Sequence, residues 1–455
     1  MLFAIKDFMT FFSVVNYLVD MVWSLPILLL IFGIAVYMTL QLKFVQFRYL
    51  PESIRNVFSA GEDSDQVAKS GNLSPFQAFI NTLGANIGNG SLAGIAVAIS
   101  SGGPGAIVWL LILATFSVVL RFAEVFLGTY VIGKYTCGNA RGGPMVYMSL
   151  LPGGAFWSYL FTIFALGFML VGGNLAQCNA VGLAVSRSLG VSEFITAFFV
   201  LIFILYILLG GSERIVYFLD KLVPFKVFAF LITAVTVLVY HYQAIPHALY
   251  LMMHFALTPE ALLGGSFGFA LQQAMSSGFQ QSVFASEAGL GTAAIAFSTT
   301  KGKGPVKNGI LAMLGVFINI HVICFLVALC IIASGVWDNG ETSTALLVSA
   351  YETVFGRSGG WIISILAINF AVSVLVAAAY NGKKCWEFLL AGKYQWMFPI
   401  MYAACAFCGT WMQVELVWNI NNIVNALLLL INLMGLLWFT KVIKKELEAY
   451  SKSHG

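Results

Sequence analysis

The chain has 455 residues, of which 60% are hydrophobic and only 9% charged, with a mean hydropathy of +0.90 and a formal net charge of +4. Soluble domains carry about 25% charged residues, so a chain this apolar is excluded as a soluble enzyme or nucleic-acid binder and reads as a helical membrane protein. No basic stripe suits nucleic acid. The seven cysteines (Cys137, Cys178, Cys324, Cys330, Cys385, Cys405 and Cys408) form no CxxC pair and no Cys/His cluster; they read as small apolar side chains. The N-terminus, with Lys6 and Asp7, has no basic region and small-residue site of a cleavable signal peptide.

Windows of about 20 residues, long enough to cross a bilayer, fall in chain order at 15–40, 76–100, 104–133, 155–186, 193–211, 222–242, 261–287, 307–334, 358–382, 395–413 and 417–440. Those eleven windows, with the N-terminus outside and the C-terminus in the cytoplasm, put nearly every Lys and Arg on the inner side, as membrane insertion favours. The inner segments gather Lys43 to Lys69, Lys134 and Arg141, Arg214 to Lys226, Lys301 to Lys307, Lys383 to Lys393, and Lys441 to Lys452; the outer ones keep Lys6, Arg187 and Arg357. Arg121 is placed near the inner end of the third span. One missed span would scramble this alternation. The segments 243–260 and 335–357 are too short for separate domains. The expected location is a bacterial-type inner (plasma) membrane.

Two spans carry interruptions. The second contains Asn81-Thr82-Leu83-Gly84-Ala85-Asn86-Ile87-Gly88-Asn89-Gly90-Ser91 and the seventh Gly264-Gly265-Ser266-Phe267-Gly268. Glycines also mark helix packing in membranes, but these two spans stand five apart. With the first span set aside, ten remain as five plus five, and each five begins with a broken helix. An odd-numbered repeat inserts its copies in opposite orientations, the architecture of many secondary transporters. The boundaries read as 1–70 for the accessory span and inner loop, 71–242 and 243–440 for the two repeats, and 441–455 for a cytoplasmic tail. Unwound backbone inside a bilayer is tolerated only where protein or a wet cavity covers it. A half-helix N-terminus suits a carboxylate, and a half-helix C-terminus suits an ammonium group or a metal cation. Two broken helices therefore suit an α-amino acid zwitterion.

Ser74-Pro75-Phe76-Gln77-Ala78 through Ile87-Gly88-Asn89-Gly90-Ser91-Leu92-Ala93-Gly94, with Gly102-Gly103-Pro104-Gly105, Arg121-Phe122-Ala123-Glu124, Arg141-Gly142-Gly143-Pro144-Met145 and Gly173-Asn174-Leu175-Ala176-Gln177, resembles the alanine/glycine:cation symporter family. Ser286-Glu287-Ala288-Gly289-Leu290-Gly291-Thr292, Pro305-Val306-Lys307-Asn308-Gly309 and Tyr380-Asn381-Gly382 continue the resemblance over roughly 70–440. It implies an all-α LeuT-type fold of two inverted five-helix repeats plus one accessory helix. It also implies import of alanine, glycine or D-alanine, coupled to Na⁺ with no other cofactor. The chain departs from the family pattern at Ser91 (usually Asn), Ser286 (Asn), Asn319 (Asp), Val374 (Thr), Ala378 (Trp) and Gln281 (Arg). The Trp-to-Ala exchange at a pocket wall implies a roomier pocket.

The expected substrate site comprises Gly88, Asn89, Gly90 and Ser91, offering backbone N–H groups to a carboxylate; Gln177, whose amide both donates and accepts; Gly264, Gly265, Phe267 and Gly268 at the second interruption; and Val374 and Ala378 on the wall. By fold analogy, Ser373 and carbonyls near Ala85 and Asn86 would hold the cation. Each has a plainer reading as helix packing or local hydrogen bonding. Arg121 and Glu124, three residues apart on one helix face, read as a structural pair near the interface, and Glu287 as a structural cap or gate. His321 reads as hydrogen-bonded within the helix bundle, and the Asn419 to Asn425 group as helix-to-helix bonding. A channel would show pore loops or rings of charge, and a membrane enzyme a nucleophile–base pair or metal cluster; neither pattern is present. The expected partners are a small neutral amino acid, a monovalent cation and the lipid bilayer, without nucleic acid or an obligate protein partner. The alternative is a proton-coupled carrier, or one for larger neutral amino acids, of the same fold.

Overall fold

The computed structural model describes residues 14–60, 73–135, 137–138, 140, 142–257, 266–300 and 304–454. These are helical throughout, apart from short connections and one isolated bridge between Cys137 and Ala140. Eight helical stretches are long and apolar enough to cross a membrane: Val14–Gln41, Pro75–Gly102, Ala106–Tyr130, Gly154–Ser186, Gly211–Tyr240, Gly304–Ala333, Ser358–Leu389 and Glu415–Trp438. Glu193–Leu209 and Met397–Gly409 are apolar but shorter, and Ser266–Ser286 is long but more polar.

The second stretch is two helices, α1 (Pro75–Asn86) and α2 (Asn89–Gly102). Ser74 starts α1 by a reciprocal cap: its hydroxyl accepts from the Gln77 backbone, and the Gln77 side chain accepts from the Ser74 N–H, with Pro75 in the first turn where no N–H is required. The stretch is central, since 94% of its apolar window is buried against 28% for Val14–Gln41. Around it stand α3 (Ala106–Tyr130), α4 (Gly211–Tyr240), α5 (Ser266–Ser286) with its short continuation α6 (Thr292–Phe297), and α7 (Ser358–Leu389). Two further spans carry π-helical turns, Val171–Leu175 and Phe317–Cys324. Each inserts an extra residue per turn and turns polar side chains inward, here Asn174 and Asn319, both fully buried.

The outer helices show the opposite surface. Phe198, Phe199, Ile202 and Tyr206 on Glu193–Leu209, and Phe225, Phe228, Ile232 and Val239 on α4, are exposed. Such a contiguous apolar surface fits contact with lipid. The C-terminal helix Thr440–His454 lies against the segment after the first span, where Lys43 pairs with Glu448 at 3.0 Å and Tyr450 bonds to Glu52.

Close helix approach depends on small residues. A methyl placed on Gly278 of α5 would lie 2.3 Å from the Ala106 carbonyl oxygen and 3.0 Å from the Leu110 nitrogen of α3, both backbone atoms that cannot swing away. Gly278→Ala is therefore expected to lower stability by about 1–3 kcal/mol through overpacking, despite the helix propensity that alanine adds. A lower thermal midpoint in detergent than wild type is the readout, and an unchanged or higher midpoint contradicts it.

Candidate functional site: two helix breaks joined by buried polar groups

At the first break Ile87 leaves the helix and Gly88 is extended, at φ −124° and ψ −165°, so that α2 restarts at Asn89 with the open N–H groups of a helix start. Every residue from Ala78 to Ala96 is buried. A methyl on Gly88 would lie 2.5 Å from Val374 Cγ2 and 3.5 Å from Gln177 Oε1. Gly88, Gln177 and Val374, predicted from three distant segments, thus converge. Gln177 donates through Nε2 to the Gly172 carbonyl at 3.1 Å, while its buried Oε1, like the buried Nδ2 of Asn89, has no protein partner. Gly90 faces the Phe284 ring of α5. Because Gly94 has no side chain, Gln281 can donate to the Gly90 carbonyl at 2.8 Å. Ser91 donates to Asn319 Oδ1 at 2.8 Å.

Ala378 instead packs against Gly173, where an added methyl would come within 2.3 Å of its Cβ. The small residue at 378 lets two spans approach, so the room expected there is filled by helix packing.

The expected second interruption, Gly264 to Gly268, falls partly outside the described residues: Gly264 and Gly265 are among those not described, and Phe267 and Gly268 lie in the first described turn of α5, which runs on unbroken to Ser286. A break that is described lies further on, at Glu287–Gly291 between α5 and α6. Glu287 has φ +49°, and Gly289 and Gly291 have φ +90° and +80°. The two glycines occupy a region closed to most side chains, and Glu287 adopts it as a non-glycine residue. The Glu287 carboxylate accepts from the Thr292 hydroxyl at 2.9 Å.

Arg121 and Glu124 hold this break. They form an ion pair of 2.7 Å with both side chains wholly buried in the protein, the structural pair expected from their spacing. Glu124 Oε2 accepts from the N–H groups of Gly289 (3.0 Å) and Gly291 (2.8 Å), and Arg121 donates to the Ser286 carbonyl at 2.6 Å. Arg121 also faces the side-chain amide of Asn86 at the first break. Asn319 makes the second link: its Nδ2 donates to the carbonyls of Asn86 (3.0 Å) and Ala285 (2.7 Å). Tyr147 and Asn432 complete the support, Asn432 donating to the Gly289 carbonyl at 2.7 Å.

The candidate cation position holds a side chain of the protein itself. Lys226, counted by sequence among the inner-loop charges, is fully buried on α4. Its ammonium donates to the carbonyls of Gly84 (3.3 Å) and Ile87 (2.5 Å) and to the Ser373 hydroxyl. Lys226 thus takes the carbonyls of Gly84 and Ile87, next to the expected Ala85 and Asn86; that of Asn86 accepts from Asn319 and Gly88. A signal for Lys226 exists in the sequence. Lys226 sits in the apolar run Val223-Pro224-Phe225-Lys226-Val227-Phe228, and an ionisable residue inside a span is costly and so rarely idle. His321 bonds the Thr115 hydroxyl at 3.0 Å and stacks on Phe317. In the asparagine group, Asn419 bonds Asn16 at 2.6 Å, but the buried side-chain amides of Asn421 and Asn425 have no hydrogen-bond partner among the described residues, so the expected helix-to-helix bonding is met only in part.

The model of the sodium:alanine symporter family matches residues 8–455. The chain is 31% identical over 452 residues to the "Sodium/alanine symporter AgcS" of Methanococcus maripaludis, covering 98% of each chain. It is 30% identical to the "Probable sodium/glutamine symporter GlnT" of Bacillus subtilis, covering 95% of this chain and 89% of that one. Among solved structures, a mutant of the Eremococcus coleocola manganese transporter is similar with a TM-score of 0.49 and 14% identity, over 77% of this chain and 75% of that one. The chain belongs to the sodium:alanine symporter family, and is accordingly a multi-pass membrane transporter and not an enzyme.

Proposed function

We propose that the protein imports a small neutral amino acid (alanine, glycine or D-alanine) by cation symport with alternating access. In this reading the eleven helical segments all cross the membrane, the N-terminus outside and the tail in the cytoplasm. The segments 71–242 and 243–440 form inverted repeats that rock about the two breaks. The substrate carboxylate sits at the start of α2, before the N–H groups of Asn89 and Gly90 and the Asn89 amide, and the ammonium group meets Gln177 Oε1. The observation that carries the reading is the unpartnered, buried Gln177 Oε1 beside Gly88 at an open helix start. Such a donor–acceptor pair suits a zwitterion, and an amide holds it without a fixed charge. The close approach of Val374 to Gly88 favours an alanine-sized side chain over the glutamine that the GlnT name prints. The family name supports sodium as the coupling ion.

Counterflow of labelled L-alanine in proteoliposomes loaded with unlabelled alanine tests the substrate without any ion gradient. Exchange competed by glycine is expected; no exchange by folded protein removes the substrate assignment. Gln177→Leu deletes an acceptor facing a charged group, a bond of about 1.5–3 kcal/mol. Its KM for alanine is expected to rise roughly tenfold to a hundredfold, with the protein still eluting as a single species. A KM within twofold of wild type would exclude Gln177 from the site.

A further inference from the structure

We propose that Lys226 is a tethered cation: its ammonium fills the oxygen cage between the first break and α7, so that no free sodium ion binds in that cage while Lys226 is present. This deepens the transport reading in one respect, taking the first break to be part of the transport site.

The cage is complete. Gly84 O, Ile87 O and Ser373 Oγ give three acceptors, which matches the three N–H bonds of an ammonium group and leaves it no unused donor. The Phe370 ring centroid lies 5.2 Å from Nζ, within reach of a cation–π contact. Ser373 Oγ is also close to the Gly84 (3.2 Å) and Phe370 (2.8 Å) carbonyls, so its own proton has a place to go while its lone pair faces the amine. The neighbouring carbonyls are mostly taken: those of Leu83, Gly84, Asn86, Ile87 and Gly88 each accept from a protein donor, which leaves that of Ala85, and a hard cation needs several oxygens at once. Sodium at this point would have to displace the amine and then share a buried space with its charge.

Charge balance points the same way. Among the described residues the buried charged side chains are Arg121, Lys226, Glu124 and Glu287, two positive and two negative. With all four ionised the set is neutral. A sodium ion in the same cage would put two positive charges in one buried oxygen shell, which is strongly disfavoured. The same count predicts that removing the lysine leaves a deficit of one positive charge around a vacated oxygen cage, which is what an alkali cation would relieve. A lysine serving only to brace the break predicts no such exchange.

The test compares thermal midpoints of purified protein in sodium chloride and choline chloride, at equal ionic strength and pH, for wild type, Ser373→Ala, Lys226→Ala and the Lys226→Ala/Ser373→Ala pair. For wild type, any sodium-specific shift is expected to survive Ser373→Ala unchanged. Lys226→Ala is expected to gain a sodium-specific stabilisation that Ser373→Ala removes, and its alanine counterflow to become roughly tenfold faster in sodium than in choline, a usual size for coupling between sites. A wild-type sodium shift abolished by Ser373→Ala places sodium in the cage beside the lysine and overturns the proposal. A folded Lys226→Ala protein with no gained sodium response overturns it too. If Lys226→Ala does not fold, the wild-type and Ser373→Ala pair still decides. Wild-type counterflow of alanine, which needs no ion gradient, reads the substrate assignment separately, so the two ideas fail independently.

Discussion

Glu124→Gln and Arg121→Met are each expected to remove about 3–5 kcal/mol of stability, enough to deplete the folded protein. Each leaves one charge of a fully buried 2.7 Å pair without its partner, the situation in which loss of one ion is most costly. The whole folding free energy of a protein is about 5–15 kcal/mol. Recovery of monodisperse protein after detergent extraction, and its thermal midpoint, give the measurement; near-normal values for either variant contradict the assignment. Replacing both partners with apolar residues often restores stability at a simple buried pair. It is not expected to do so here, because Glu124 also holds two glycine N–H groups and Arg121 a carbonyl at the break. Lys384 and Glu387 provide an internal control. They have the same three-residue spacing and a 3.2 Å separation, but their side chains are 28% and 23% exposed, so Glu387→Gln is expected to cost about 1 kcal/mol or less.

That contrast shows how far sequence reaches. A basic residue three before a Glu, Arg121 with Glu124 and Lys384 with Glu387, predicts a shared helix face in both places, and spacing alone cannot say which pair is buried under a helix break some 165 residues away in the chain. The first break was legible because its composition forces it: Gly88 and Gly90 flank Asn89, and Ser74-Pro75 with Gln77 fixes where α1 begins. The break at Glu287–Gly291 was not picked out by the glycine pattern, because its turn is entered through Glu287, a residue whose type gives no warning of φ +49°. Only the resemblance singled out Ser286 to Thr292. The convergence of Gly88, Gln177 and Val374 was anticipated by family pattern. Lys226 was hidden by its proximity to Lys221: the same positive-inside count that ordered the spans absorbed a lysine lying well inside one of them. That Arg121 is wholly buried was not legible either: its partners are the Glu124 carboxylate three residues on and the Ser286 carbonyl, which sequence spacing does not bring to it.

Asn319→Asp is expected to abolish alanine exchange in choline chloride and to regain part of it in sodium chloride. The asparagine amide now donates to the carbonyls of Asn86 and Ala285, one at the end of each broken helix, and accepts from Ser91. A carboxylate keeps the Ser91 bond but turns both donors into acceptors, so two carbonyl oxygens at 3.0 and 2.7 Å would face a negative oxygen across a fully buried gap. Each buried acceptor left without a donor costs about 1–3 kcal/mol, and more where charge is involved. The relaxed state is one in which the two half-helix ends separate, which pulls apart the contact through which both breaks move together. A hard monovalent cation can relieve the conflict, since carboxylate, two carbonyls and a hydroxyl make an oxygen shell of the kind such ions prefer. Asn319→Leu removes the same donors without creating that shell. It should therefore lose exchange in both salts, with no sodium-specific rise in thermal midpoint, while Asn319→Asp shows one. Equal exchange by wild type and Asn319→Asp in choline chloride would mean that the two breaks are not joined through this side chain.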